Sequence, residues 1–272
     1  MPFARIAIDI HLHFYPFYDE TIFFNSLCSN LDHGCVDSAG AFNQLERIVI
    51  LTEGSGYNTF SRWAGPKVLD SSGYTFTLTN EPYSLALNDK GKRRALIIAG
   101  RQIVTSERIE VLTAGAGRNI PDGRPLDEVV TKLIDAAELV ILPWGAGKWL
   151  GRRGRLIEKL VQTRKAPTLF LADNPARPEW WPAPRSFRIF SARGGTILRG
   201  SDPLPLPGEE KRAGGFATLI TGEFDPALPL SSLKAILSGS TAAVDIGQHD
   251  SFFTFFQRQL RLRLQKNFMG GR

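Results

Sequence analysis

The amino-acid sequence predicts a single α/β domain built on a parallel β-sheet that is either open or closed into a barrel. Short, apolar, β-branched segments alternate with segments of helical length, an alternation typical of parallel sheets flanked by helices. The chain has 272 residues, 43% of them hydrophobic, which is enough to bury one well-formed core. No clear linker, repeat or low-complexity tract interrupts it, so one domain over residues 1–272 is predicted.

The predicted elements of the first half begin with a strand over residues 5–10, which is short, apolar and β-branched. Residues 19–31 are predicted to form a helix, because apolar residues such as Phe23 and Leu27 recur on one helical face. Further strands are predicted over residues 47–51, 73–79 and 94–104.

The second half continues the alternation of strands and helices. Pro125, Asp127 and Glu128 indicate the first turn of a helix over residues 125–137, since proline suits a helix start and the helix dipole favours acids there. Strands are predicted over residues 139–142 and 168–172 and from residue 196 to 198, with a helix over 156–163. The chain ends in a predicted amphipathic helix over residues 251–264, in which phenylalanines precede arginines.

The charge of the chain is compatible with several classes of anionic partner. The sequence has 33 lysines and arginines against 27 aspartates and glutamates, a net charge of +6. Such an excess suits nucleic acid, anionic lipid or small anionic substrates. However, the sequence contains no nucleic-acid motif and no basic stripe interleaved with aromatic residues, which argues against a nucleic-acid partner.

The sequence also predicts where the protein works. No apolar run approaches the roughly 18–20 residues that cross a bilayer, and the apolar part of the N-terminal segment is too short and too polar for a secretion signal. Cys28 and Cys35 are the two cysteines, too few for a disulfide framework. We therefore expect a cytoplasmic protein without a membrane partner.

The sequence Asp9-Ile10-His11-Leu12-His13 closes the first predicted strand. Because side chains alternate along a strand, Asp9, His11 and His13 are expected on one face, with Ile10 and Leu12 on the other. Two imidazoles at alternate positions of a strand end can hold one metal ion, and a nearby carboxylate can bind the ion or orient a histidine. The chain has four histidines, so two of them beside an acid indicate a metal site.

Two later strand ends carry carboxylates. Glu53 lies in the glycine-rich turn after the strand over residues 47–51, and Asp202 follows the strand that begins at residue 196. In parallel α/β folds the chemistry collects in the loops after the carboxyl ends of the strands. Both residues are therefore candidate metal ligands, and Asp202 is also a candidate general base. The alternatives are an ordinary turn residue at position 53 and a turn cap at position 202.

Two loops between these strand ends are candidates for substrate contact. The loop of residues 143–149 (PWGAGKW) has glycines and a lysine suited to an anion, but it lacks the spacing of a P-loop. The loop that follows the strand over residues 168–172 carries an acid, an amide and an arginine. For both loops the alternative is turn formation and aromatic packing. The candidate contacts of an anionic substrate are Lys148, Arg177, Asp173, Asn174 and Arg101.

Several of these segments resemble the motifs of the PHP (polymerase and histidinol phosphatase) superfamily of metal-dependent phosphoesterases. The opening DIHLHFYP resembles its first HxH motif, and the segments that stand in the order of its later motifs are IVILTEG, IIAGRQI, IEVLTAG, LVILPW and ILRGSDPLP. The resemblance implies an α/β fold in the form of a distorted seven-stranded β/α (TIM-like) barrel that binds two or three metal ions and hydrolyses phosphate esters. By position, it implies that His11, His13, Glu53 and Asp202 are metal ligands.

The sequence also departs from the PHP motifs. Gln102 stands where the superfamily has a glutamate that bridges metals, and Gly54 stands where it has a histidine. Trp144 lies in the region of its His-Pro motif, and Leu204 occupies the place of its last histidine. We therefore expect fewer ions than are typical of the superfamily. Zinc or manganese suits the ligand types that remain.

Together these features predict a metal-dependent hydrolase, in the first place a phosphoesterase that acts on a small anionic substrate. An ion on His11, His13 and Asp202 would lower the pKa of a bound water, Glu53 or Asp202 would accept the proton, and Lys148 would neutralise substrate charge. Two alternatives stay open. One is a mononuclear amidohydrolase-like enzyme, and the other is a barrel without catalysis that serves as an anion-binding or interaction protein.

Overall fold

A computed structural model of the chain describes residues 2–33, 35, 45–65, 73–239 and 242–269. Its strands are β1 (Phe3–Leu12), β2 (Leu45–Glu53), β3 (Tyr74–Leu78), β4 (Ser84–Asp89), β5 (Lys92–Val104), β6 (Glu110–Ala114), β7 (Val140–Pro143), β8 (Leu169–Asp173), β9 (Ile197–Arg199), β10 (Ala217–Glu223) and β11 (Val244–Ile246). Its helices are α1 (Glu20–His33), α2 (Thr59–Ala64), α3 (Leu126–Asp135), α4 (Gly151–Thr163), α5 (Arg185–Ala192), α6 (Pro229–Ser238) and α7 (Phe252–Met269). Short 3₁₀ segments lie at Gly115–Asn119 and Glu209–Arg212.

Each strand and helix predicted from the sequence has a counterpart in the structure. The start of α1, for example, follows from its cap, since Asp19 Oδ1 accepts a hydrogen bond from the N–H of Ile22 at 2.8 Å. The elements that periodicity did not predict are short or lie in the last quarter of the chain. They are β4, β6, β10, β11, α2, α5 and α6.

The strands form one mixed sheet in the order β11-β10-β1-β2-β5-β6-β7-β8-β9, and the β3–β4 hairpin attaches to β5. β1, β2 and β5 are parallel, and so are β7, β8 and β9. β6 is antiparallel to both of its neighbours, and β10 is antiparallel to β1. The sheet is therefore mixed, which corrects the prediction of a parallel sheet. The connection between β5 and β6 is too short for the helical crossover that parallel strands need.

The two ends of this strand order approach each other, so the sheet is a nearly closed barrel. Just beyond β9, the N–H of Asp202 donates to the carbonyl oxygen of His11 at 2.8 Å. The N–H of Arg199 donates to Thr218 Oγ1 in β10, also at 2.8 Å. Within the described residues the path contains nine strands, rather than the seven that the resemblance implies, and it includes β10 and β11 beyond β1.

The barrel interior is filled by aliphatic side chains from nearly every strand, and α6 covers it with Leu233. In β1 the interior residues are Ile6, Ile8 and Ile10. On the outside, α1 packs its phenylalanines against β1 and β2, and α3, α4 and α5 bury a separate apolar cluster against β6 to β8. β1 and β2 are parallel, and Asp202 just after β9 bonds to His11 near the end of β1, so the carboxyl ends of these three strands lie at one end of the barrel.

The C-terminal helix α7 is attached to the barrel by a buried ion cluster. Arg258 donates to both carboxylate oxygens of Glu209, at 2.9 and 2.7 Å, and to Asp250 Oδ2 at 2.6 Å. All three side chains are buried, and Arg212 adds a second cation on Asp250. The cluster joins α7 to the segment that follows Asp202. Among the described helices, none combines the length and the apolar character that crossing a bilayer requires.

Candidate metal centre

A β-bulge in β1 sets the directions of the two histidines. Asp9 pairs with Val49 of β2 and Leu12 pairs with Leu51, so β1 contains one extra residue across this step. Ile10, within this step, packs in the barrel interior, whereas Leu12, at its end, packs in the outer cluster under α1. The expectation that Ile10 and Leu12 share a layer is therefore wrong, because the bulge breaks the alternation on which it rested.

His11, His13 and Asp202 meet at the carboxyl end of the barrel strands. His11 Nε2 and His13 Nε2 are 3.0 Å apart. Asp202 Oδ1 lies 3.6 Å from His11 Nε2 and 3.5 Å from His13 Nε2. One potential ligand atom from each residue lies within 4.8 Å of the others, an arrangement that could hold a metal ion. The structure thus brings together three of the four candidate ligands.

The spacing of these atoms fits a tetrahedrally coordinated ion. Ligand atoms about 2.0–2.1 Å from a zinc ion lie about 3.3 Å from one another in a tetrahedron. The observed separations of 3.0, 3.5 and 3.6 Å lie on both sides of that value. Gln102 Oε1 is a further potential ligand atom for the ion, and it lies 3.0 Å from His11 Nε2. His11 Nδ1 is buried without a partner among the described residues, so the polar contacts of this ring all fall on Nε2.

The ionisation states of the site suit a cation. Burial, together with repulsion from His11, lowers the pKa of His13 to about 4, so its ring is neutral near pH 7. Burial opposes the ionisation of Asp202, but the charges of His11, His13 and Lys148 outweigh it and hold the pKa of this carboxyl below its usual value. A neutral imidazole and a carboxylate are the forms that bind a metal ion.

The backbone of Asp202 adopts a strained conformation that its neighbours hold in place. Its φ of 43° lies in the left-handed region, which non-glycine residues rarely occupy. Asn174 Nδ2 donates to Asp202 Oδ2 at 3.0 Å and to the carbonyl oxygen of Trp144 at 2.8 Å. Oδ1 is therefore the oxygen that faces the histidines. Asn174 thus orients a candidate ligand, and its contact with substrate stays a prediction. Strain of this kind costs about 1–3 kcal/mol and clusters at functional sites.

A chain of polar contacts orients Gln102, which the sequence marked only as a departure from the PHP motifs. Its Nε2 donates to Glu110 Oε1 at 3.3 Å, and Lys148 Nζ donates to the same oxygen. Because Nε2 is bound to Glu110, Oε1 is the atom that faces His11. The ammonium of Lys148, predicted to neutralise substrate charge, is thus paired with an acid of the protein. No role for Glu110 was predicted from the sequence, because its partners Gln102 and Lys148 lie elsewhere along the chain.

Asp9 holds the barrel closure and does not join the ligand set. Its buried carboxylate accepts hydrogen bonds from Ser201 Oγ at 2.5 Å and from the N–H groups of Ser201, His11 and Gly214 at 3.0, 3.1 and 3.2 Å. Burial raises the pKa of this carboxyl to about 6. Because Ser201 directly precedes Asp202, these bonds fix the segment that carries the candidate ligand.

Glu53 caps a helix. Its Oε1 accepts hydrogen bonds from the N–H groups of Thr59 and Phe60, at 3.3 Å for Phe60, where α2 begins. Asn58, at the cap position of α2, makes no side-chain cap of its own. Glu53 is absent from the group of ligand atoms that could hold an ion, so the structure does not support it as a ligand. Its side chain does line the cavity beside His13.

Three other candidate substrate contacts are matched by charges within the protein. Arg177 donates to Asp173 through Nε at 2.9 Å and through Nη2 at 2.5 Å. His249, which the sequence did not mark, places Nε2 2.8 Å from Asp173 Oδ2. Arg101 Nη2 donates to Asp122 Oδ1 at 2.9 Å. These ion pairs argue against Arg177, Asp173 and Arg101 as the groups that bind an anionic substrate.

A cavity of about 200 Å³ opens beside His13. Its other lining residues are Phe14, Tyr15, Glu53, Gly54, Tyr57 and Gln102. Sequence reasoning missed the aromatic members of this set. The available signal was the aromatic run Phe14-Tyr15-Pro16-Phe17-Tyr18, which directly follows the HxH motif.

Comparisons with known proteins give likenesses of structure only. No protein-family model and no curated protein matches the chain. Among solved structures, PsfC from Pseudomonas syringae PB-5123 matches with a TM-score of 0.55 at 12% sequence identity, over 98% of this chain and 100% of that one.

Two endonuclease structures also match over part of their length. The lesion-specific endonuclease PfuEndoQ from Pyrococcus furiosus gives a TM-score of 0.48 at 15% identity, over 89% of this chain and 59% of that one. Endonuclease Q in complex with a 27-mer duplex substrate with an abasic lesion gives a TM-score of 0.49 at 13% identity, over 91% of this chain and 60% of that one. PsfC, which matches over nearly the whole of both chains, shares its overall fold with this protein.

Proposed function

We propose that this protein is a metal-dependent hydrolase, a divergent member of the PHP superfamily that cleaves a phosphoester bond in a small anionic substrate. The observation that carries the proposal is the convergence of His11 Nε2, His13 Nε2 and Asp202 Oδ1, with separations of 3.0 to 3.6 Å. The group lies at the carboxyl end of the barrel strands, where β/α barrels place their active sites. The order of the PHP-like motifs along the chain supports the same assignment.

Zinc or manganese is the metal that we propose for this site. Two imidazole nitrogens and a carboxylate are ligands that these ions accept, and Gln102 Oε1 would add an oxygen. A bound divalent ion supplies Lewis acidity, which polarises a phosphoryl oxygen and lowers the pKa of water. This donor set suits one ion, fewer than the PHP motifs imply. A cytoplasmic location stays a prediction.

The protein's own groups would position the substrate and move protons. Asp202 Oδ1 faces the histidines as the proposed ligand and Oδ2 accepts a hydrogen bond from Asn174, so this carboxylate would hold the ion rather than take a proton. Glu53 lines the cavity and is the candidate proton acceptor. The charge of Lys148 shifts the pKa values of both His13 and Asp202, so it adds positive potential to the site while it pairs with an acid.

The anion-binding alternative rests on the loop from Trp144 to Lys148, and the contacts of that loop favour it less. The ammonium of Lys148 donates to Glu110, and Arg153 Nη2 donates to the carbonyl oxygen of Gly147 at 2.9 Å. Trp144 is buried. These contacts hold the loop within the protein, whereas the His, His, Asp group is the feature that calls for a ligand.

The proposal is tested by hydrolysis of p-nitrophenyl phosphate and bis(p-nitrophenyl) phosphate after loading with Zn²⁺ or Mn²⁺. The unaltered protein is compared with His13→Ala and with the control His33→Ala, which replaces an exposed histidine of α1 whose ring contacts Ser29. We expect His13→Ala to lower the rate by about 100-fold or more and His33→Ala to leave it unchanged. Undiminished hydrolysis by His13→Ala, or none by the unaltered protein with either metal, contradicts the proposal.

A further inference from the structure

The cavity beside His13 is walled by aromatic rings in two orientations. Tyr15 is stacked on Phe17, with ring centroids 5.8 Å apart and planes 13° apart. Tyr57 meets Tyr15 edge-on, with centroids 5.9 Å apart and planes 84° apart. The ring of His13 lies 5.9 Å from that of Tyr15. The aromatic wall therefore begins directly beside a candidate metal ligand.

One ring of the cavity wall and one ring stacked behind that wall are exposed. Tyr57, which lines the cavity, is 43% exposed, and Phe17, which stacks on Tyr15 without lining the cavity, is 50% exposed, whereas Phe14 is buried. Ligand sites are concave, mostly apolar or aromatic, and carry few polar groups. Aromatic side chains that remain exposed around a recess offer surface that a ligand can cover.

The turn that carries Tyr57 fixes the position of its ring. The N–H of Tyr57 donates to the carbonyl oxygen of Gly54 at 3.3 Å, and Gly56 has a φ of 87°, a conformation that glycine adopts without strain. A Cβ atom on Gly54 would lie 3.6 Å from the Tyr57 ring, so the ring packs closely over this glycine. The end of β2 thus presents an aromatic surface beside the metal centre.

The polar side chains of the cavity belong to the metal centre and its rim. They are His13, Gln102 and Glu53, and the remaining side chains that line the cavity are aromatic. Gln102 and Glu53 each make a hydrogen bond to another part of the protein, which holds them in place. The metal centre at one side of the cavity suits the anionic end of a ligand. The aromatic wall at the other side suits an end that is planar and apolar.

We propose that the aromatic recess, defined as Phe14, Tyr15 and Tyr57, binds a planar aromatic group of the substrate. The substrate is then an aryl or nucleoside phosphoester, not an aliphatic one. This inference rests on the proposed function for the phosphate end of the substrate and on the geometry of the recess for the ring end. Stacking on tyrosine is tolerant of ring identity, because every aromatic ring offers a flat face.

The test compares phenyl phosphate with cyclohexyl phosphate at a pH where both are dianions; their rings are of similar size, one planar and one puckered. Dissociation constants are measured by calorimetry for the unaltered protein, for Tyr57→Ala and Tyr57→Phe, and for the control Phe253→Ala. Phe253 lies on α7, is 75% exposed and does not line the recess. We expect every protein except Tyr57→Ala to bind phenyl phosphate about tenfold more tightly than cyclohexyl phosphate. In Tyr57→Ala the ratio of the two dissociation constants should fall to about one.

Measurements with metal-loaded and with chelator-treated protein separate this inference from the proposed function. Metal removal is expected to weaken both esters together and to leave their ratio unchanged. A retained preference for phenyl phosphate in a protein that hydrolyses neither ester overturns the proposed function and supports the recess. Three results would overturn the proposal that the recess binds an aromatic ring. They are equal affinities for the two esters in the unaltered protein, a preference for phenyl phosphate that survives in Tyr57→Ala, and binding of neither ester at millimolar concentration.

Discussion

The main-chain N–H of Asp202 donates a hydrogen bond to the carbonyl oxygen of His11 at 2.8 Å. This bond joins the end of β9 to the end of β1 where the barrel closes, and it sets the Asp202 carboxylate beside the rings of His11 and His13. The candidate metal centre is therefore built into the closure of the barrel. Substitutions that disturb the closure are expected to weaken metal binding.

Asp202→Asn removes the negative charge of the site and keeps its shape. Asparagine tolerates the left-handed backbone conformation that Asp202 adopts, so we expect the fold to be retained. Metal affinity should fall by more than about 100-fold, since a carboxylate ligand is replaced by a neutral amide. Titration with Zn²⁺ followed by calorimetry measures the change. An affinity equal to that of the unaltered protein would remove Asp202 from the ligand set.

Asn174→Ala removes the donor that orients Asp202. Its Nδ2 holds Asp202 Oδ2 at 3.0 Å and the carbonyl oxygen of Trp144 at 2.8 Å. We expect metal affinity to fall by about 10- to 100-fold, as loss of a group that orients a ligand commonly causes. The variant should also lose about 1–3 kcal/mol of unfolding free energy, because a buried carbonyl is left unpaired. If only the stability changes, Asn174 has no part in orienting the ligand.

Gly200→Ala tests how closely β9 must approach β1. A Cβ atom on Gly200 would lie 2.4 Å from His11 Cβ and 2.6 Å from the His11 main-chain nitrogen, so the two segments must separate. We expect a loss of about 1–3 kcal/mol in unfolding free energy, together with weaker metal binding. Gly65→Ala is the control, because Gly65 has a φ of −73° and its nearest neighbour would lie 3.4 Å away. Equal effects of the two substitutions in urea unfolding would contradict the account.

Arg258→Met removes the buried cation that Glu209 and Asp250 share and leaves Arg212 as their remaining cation. Arg258, Glu209 and Asp250 are all buried, and removing one partner of a buried ion pair costs about 3–5 kcal/mol. The matched control is Arg261→Met on the same helix, where an exposed arginine donates to the carbonyl oxygen of Pro207 at 2.7 Å. That change should stay within about 1 kcal/mol. Chemical denaturation measures both, and a small effect of Arg258→Met would show that the cluster does not hold α7.

Much of the fold could be predicted because strands buried on both faces are continuous apolar runs. The runs around Ile8, Ile48, Ile98 and Leu142 all proved to be strands of the barrel. Strand direction could not be predicted in the same way. A strand such as β6 has the same composition whether it runs parallel or antiparallel, and only the short connection before it, residues 105–109, distinguishes the two.

The candidate site was predictable where it depends on residue type at a strand end. His11, His13 and Asp202 are such residues, and the structure brings them together. Asp9 could not be placed, because a bulge has no signal in a period-2 pattern and it removed Asp9 from the face of the histidines. Glu110 was missed because its role depends on contacts with Gln102 and Lys148 from other strands and loops, which local sequence does not encode.

The most direct test of the central claim is the metal content of the purified, untagged protein measured by elemental analysis beside the His11→Ala/His13→Ala double variant. The two rings supply two of the three atoms that could hold an ion, so the account predicts about one zinc or manganese per chain in the unaltered protein and none in the variant. Equal metal content in the two proteins, or no metal in the unaltered protein even after reconstitution with either ion, would contradict it.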